Sequence, residues 1–83
     1  MEVEESQYRF VNDIEQLEEL WQYDVSIRTE YNAVEAIMTA HTQYGISAYL
    51  LRRMEIIANK YGFESDWIYP ESDSMVIRYW FKR

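Results

Sequence analysis

Two adjoining stretches decide the fold: NAVEAIMTAHTQYG, residues 32–45, and ISAYLLRRMEIIANKYG, residues 46–62. In the second, Leu50, Leu51, Met54, Ile57, Ala58 and Tyr61 fall within a narrow arc at the helical period. Ser47 stands where a side-chain oxygen caps a helix start, and Gly62 stands where a left-handed residue closes a helix end. The spacing predicts a helix over 48–61. In the first stretch, Asn32 and Glu35 have the spacing of a capping box. Val34, Ile37, Met38, His41 and Tyr44 then share one helical face, with Gly45 following. A helix is predicted over 33–44. Two helices joined across Gly45-Ile46 make a helix-turn-helix candidate.

Upstream, Asn12-Asp13-Ile14-Glu15 repeats the capping pattern, and Ile14, Leu17, Leu20 and Trp21 follow at helical spacing. That predicts a helix over 13–22. Val25-Ser26-Ile27-Arg28 alternates apolar and polar residues, as a short strand does. Downstream, Trp67-Ile68-Tyr69 runs into Pro70, and Glu71 to Ser74 is turn-like. Met75, Ile77, Tyr79 and Phe81 then alternate with Val76, Arg78 and Trp80, which completes a hairpin. The expected fold is α+β, with three helices and a small antiparallel sheet in the order α-β-α-α-β-β. Residues 1–11 are expected to be an acidic, partly flexible N-terminal segment, and residues 12–83 a single globular domain. No repeat of solenoid length and no low-complexity tract is present.

This order resembles the winged helix-turn-helix family over about residues 12–82. Ala40, Tyr44, Gly45, Ile46, Leu51 and Met54 sit at that family's packing offsets around the turn, while His41 stands where the family usually has a small residue. The resemblance implies that the start of the helix over 48–61, with Ser47, Ala48, Tyr49, Arg52 and Arg53, meets base edges in a major groove. It implies phosphate contacts from Arg28, Arg78, Lys82 and Arg83.

Charge argues against that role. The net charge is −7. Residues 1–24 hold eight acids against one base, and residues 25–83 are balanced. Affinity for duplex DNA rests largely on phosphate neutralisation, and an acidic chain starts with an opposing field. Such asymmetry points to a partner of opposite sign, although a solvated helix face accounts for the same acids. Glu15, Glu18 and Glu19 lie on the side of the first predicted helix away from Ile14, Leu17 and Trp21, and form one candidate surface. Tyr49, Arg52, Arg53, Ile56 and Lys60, opposite the apolar stripe of the helix over 48–61, form the second. Exposed Tyr and Arg beside Ile also describe a protein-binding face.

Chemistry is scarce. Cysteine is absent, so disulfides and thiolate metal sites are excluded. There is one histidine, His41, on the predicted core face. No glycine-rich phosphate loop or nucleophile elbow occurs. No enzyme activity, cofactor or metal is expected. The acidic start lacks the features of a secretory signal, and no apolar run approaches the length of a membrane span, so a cytoplasmic location without membrane contact is expected. The first functional reading is a small acidic, non-catalytic regulator or inhibitor that binds a larger protein, of phage or mobile-element type, with its carboxylates imitating nucleic-acid charge. The alternative is a winged-helix transcription regulator bound to DNA. A homodimer is compatible with both.

Overall fold

The computed structural model describes residues 2–41, 45–71 and 74–82, with the backbone alone at 67–71. Its elements are α1 (Val3–Glu15), a 3-10 helix (Glu18–Gln22), β1 (Tyr23–Glu30), β2 (Ala33–Ala40), α2 (Ala48–Lys60), β3 (Phe63–Glu71) and β4 (Ser74–Phe81). The four strands form one antiparallel sheet in the order β1-β2-β4-β3. The chain is thus two successive helix-hairpin halves, with β2 and β4 side by side at the centre and β1 and β3 at the edges. Both α-helices pack on one face of the sheet.

The α+β class agrees with the sequence, but the expected element order does not. The predicted helix over 33–44 is instead the central strand β2 over its described part, and 42–44 lie outside the described residues. Val34, Ala36, Met38 and Ala40 alternate into the core at the strand period. Of the predicted helical face, Val34 and Met38 are buried, Ile37 and His41 are exposed, and Tyr44 lies outside the described residues. Alanine-rich sequence favours a helix locally, but β2 is hydrogen-bonded on both sides, and this tertiary pairing decides the outcome. Among the described residues no helix pair therefore flanks Gly45, and the order α-β-α-α-β-β is replaced by α-β-β-α-β-β with a short 3-10 helix after α1.

The N-terminal boundary also moves. Residues 3–11, expected to be loose, belong to α1, and Phe10 is fully buried. Val3, Gln7, Phe10, Ile14 and Leu17 recur at helical spacing, and this stripe faces the sheet from Gln7 onward. Phe10 is the centre of an aromatic cluster, 5.2 Å from the Phe63 ring and 4.8 Å from the Tyr79 ring, the latter edge-on. Asn12 lies inside α1 and caps nothing. The predicted helix over 13–22 is the end of α1 and the 3-10 helix, with Leu17 and Leu20 buried between α1 and β1 in sequence.

The second half follows the sequence closely. Ser47 Oγ accepts the Leu50 amide at 3.4 Å and caps α2. Leu50, Leu51, Met54 and Ala58 are buried. Gly62 has φ +88°, and a Cβ there would sit 3.2 Å from the Phe81 ring. This lets β3 leave the helix directly toward the sheet. Trp67 to Tyr69 fall within β3 and Met75 to Phe81 within β4; of the turn expected over 71–74, Glu71 instead ends β3 and Ser74 begins β4, and 72–73 lie outside the described residues.

Candidate functional site

Each two-residue hairpin turn needs a backbone that matches strand twist, usually with positive φ. The turn between β1 and β2, Tyr31-Asn32, contains no positive φ. It is held from outside instead. Gln7 on α1 is buried, and its Nε2 donates to Glu30 O at 2.7 Å and to Ala33 O at 2.9 Å. The Phe81 amide donates to Asn32 O at 2.8 Å. The turn is thereby fixed against both α1 and β4.

A groove of about 710 Å³ runs between α1 and this fixed turn. Val3, Val11 and Phe81 give it apolar walls, and all three are half-buried. Tyr8 and Tyr31 also line it and are 74% and 89% exposed. Glu4 and Glu15 supply carboxylates, and no Lys or Arg occurs among the described lining residues. Glu30 contributes its backbone at this edge, while its carboxylate shares the other face of β1 with Arg28, whose Nη2 lies 3.0 Å from it. The volume lies within the range of natural ligand pockets. The lining combines apolar contact area, aromatic faces and, at Glu4 and Glu15, carboxylates with no ion pair among the described residues.

The sequence-derived acidic surface is divided by the structure. Glu15 closes α1 and lines the groove, whereas Glu18 and Glu19 lie on the separate 3-10 helix. Glu18 is exposed. Glu19 is ion-paired with Arg53 of α2. A hydrogen bond from its own backbone amide, opposed by partial desolvation and aided by the Arg53 guanidinium, holds the Glu19 carboxyl below the usual range. The three acids therefore form no continuous helical stripe.

The second sequence-derived surface lies on one helix, α2. Tyr49 is 68% and Ile56 58% exposed, and Arg52 and Lys60 are exposed beside them. Arg53 is half-buried, being committed to Glu19 and stacked 5.9 Å from the Tyr49 ring centroid. His41, expected in the core, is exposed at the end of β2, with Nε2 3.3 Å from Asp24 Oδ1. Among the described residues, no three His, Cys, Asp or Glu converge as metal ligands, and no helix is long and apolar enough to cross a membrane.

Gln7, Tyr8, Tyr31 and the groove itself were not found from the sequence. A signal was present: Glu4, Tyr8, Val11 and Glu15 form a helical stripe beside the buried one. It is visible only once residues 3–11 are read as helix. No family model matches the chain, and no curated protein sequence matches it.

Proposed function

We propose that this chain is a non-catalytic protein-binding regulator whose groove beside the β1–β2 turn holds a basic, partly apolar segment of another protein. The observation that supports this most is the lining. Two carboxylates, two exposed tyrosines and apolar walls surround about 710 Å³, with no basic residue among the described lining. Carboxylates accept charge-assisted hydrogen bonds from arginine or lysine. Tyrosine faces attract the same cations at close range. Val3, Val11 and Phe81 offer contact to aliphatic anchors. The chain's net charge of −7 favours approach of a basic partner and speeds encounter.

Regulation follows from occupancy. A basic segment held in the groove is withheld from phosphates or other acidic ligands that would compete for it. The carboxylates then stand in for such a ligand without any chemical step. The one imidazole of the chain, His41, is not part of the lining.

The test is selection from a displayed library of random peptides on the immobilised protein. Enrichment of Arg or Lys next to Leu, Ile or Val, lost in a Glu4→Gln, Glu15→Gln, Tyr31→Ala variant, is the expected result. Enrichment of acidic peptides, or selection unaffected by those substitutions, contradicts the reading. Retention on duplex DNA at physiological salt also contradicts it, since the groove repels phosphate.

A further inference from the structure

Among the described residues the face of the sheet away from the helices is open, and one row across it has an alternating charge pattern. Arg28, Glu35, Arg78 and Asp66 occupy directly opposed positions on β1, β2, β4 and β3. Arg28 Nη2 lies 3.1 Å from Glu35 Oε1, and Arg78 Nη2 lies 3.1 Å from Glu35 Oε2. Glu35 is buried beneath the two guanidiniums, which remain 61% and 48% exposed. Both guanidiniums therefore keep donors free toward solvent. The neighbouring rows place Ile37 opposite Val76 and Ala33 opposite Trp80 on the two central strands. Ile37 is 39% exposed, and Val76 and Trp80 are half-buried.

We propose that this face pairs with the same face of a second copy of the chain, forming a symmetric two-sheet sandwich. The support is self-complementarity. Take a two-fold axis lying in the interface, running along the strands between β2 and β4. It lays every row on its own reverse. A row that reads plus, minus, plus, minus meets minus, plus, minus, plus. Arg28 then faces Asp66 of the second copy, and Glu35 faces Arg78 of the second copy. The apolar row brings Ile37 onto Val76 of the second copy. The third row, Glu30, Ala33, Trp80 and Glu64, sets the large Trp80 against the small Ala33 of the second copy. At its ends it sets Glu30 against Glu64 of the second copy, two acids whose charges are already offset within each chain by Arg28 and Lys82. The ~30° offset of aligned sheets is shared equally across such an axis.

Size is adequate for association. Four strands at ~4.8 Å spacing and about eight residues at ~3.3 Å rise give a face of roughly 500 Å² in projection. The relief of standing side chains raises the accessible area toward the ~800 Å² per partner of standard interfaces. The groove lies beside α1, on the helix side, so a pair built this way leaves both grooves open. The proposal does not depend on what the groove binds.

Sedimentation equilibrium on the full chain is the test, from ~10 μM to ~1 mM, where small interfaces associate. The apparent mass should rise with concentration from 10.2 kDa toward twice that value. Ile37→Lys should remain at the monomer mass throughout, with an unchanged thermal midpoint. Asn59→Lys, an exposed control on α2, should associate like the parent. Because Ile37→Lys puts a charge on a central strand, amide shifts of the unmodified protein on dilution provide a second reading. They should concentrate at Ile37, Val76 and Arg78. A parent that stays monomeric to the highest concentration overturns the proposal. So does association of Ile37→Lys at parental strength, or dilution shifts confined to the helices.

Discussion

Gln7 Nε2 donates to the carbonyl of Glu30 at 2.7 Å, tying the second turn of α1 to the end of β1 across 23 residues of chain. The same nitrogen reaches Ala33 O at 2.9 Å, so one side chain spans both ends of the β1–β2 turn. Without it, a two-residue turn lacking positive φ would splay the strands it joins. The groove depends on this tie, because one wall is α1 and the other is the turn.

Gln7→Met keeps the side-chain volume and removes these two hydrogen bonds together with a longer one to Tyr31 O at 3.4 Å. It leaves the Glu30, Tyr31 and Ala33 carbonyls without this donor, and we expect a loss of ~1–3 kcal/mol in stability. Urea unfolding measures it. Stability unchanged within ~0.5 kcal/mol would mean that the turn holds itself.

Phe10→Ala tests whether the first residues belong to the core. Phe10 is fully buried between Phe63 and Tyr79. We expect a loss of ~3–5 kcal/mol, as for other large aromatic deletions from a core. Parental unfolding would return residues 3–11 to a loose segment.

What the sequence made legible follows from where local and tertiary preferences agree. The α2 stripe, the Ser47 cap, the Gly62 exit and the alternation along β4 all satisfy local rules, and all are present. β2 is where they conflict. Its Ala36, Met38 and Ala40 have no strong strand preference, and only the pairing with β1 and β4 makes them a strand. Acidic residues at 2, 4 and 5 suggested a solvated terminus, yet Phe10 and Ile14 anchor that helix to the core. The groove was hidden for the same reason, since its two walls meet only after Gln7 finds Glu30 and Ala33.

Tyr79 presents a different kind of test. Its ring is buried against Phe10, and among the described residues its hydroxyl has no hydrogen-bond partner. Burial, with Glu55 nearby, pushes the phenol pKa well up, so it stays protonated across the physiological range. Tyr79→Phe removes an unpartnered polar atom and should leave the protein at least as stable as the parent. A loss of more than ~1 kcal/mol in thermal or urea unfolding would show that the hydroxyl has a partner after all.

Glu19 links stability to pH. Its folded-state carboxyl is held low, first by its backbone amide and also by Arg53. A depressed carboxyl contributes stability above its unfolded-state pKa and loses it as pH falls through the folded value. Arg53→Gln removes one of the groups holding it low. We expect the variant's stability to fall less than the parent's on acidification through the carboxylate range. Parallel stability curves for the two proteins would remove Glu19–Arg53 from the acid response.

The most direct test of the groove uses a defined small probe, N-acetyl-arginine methylamide, titrated into the isotope-labelled protein and followed by amide chemical shifts. Saturable shifts should appear at Tyr8, Val11, Glu30 and Tyr31, weaken with added salt, and be absent with the N-acetyl-glutamate analogue. Tyr49→Ala and Ile56→Ala on α2 should leave them unchanged. Shifts that centre on α2, that fail to saturate, or that appear equally with the acidic analogue would contradict a groove built to hold a basic segment.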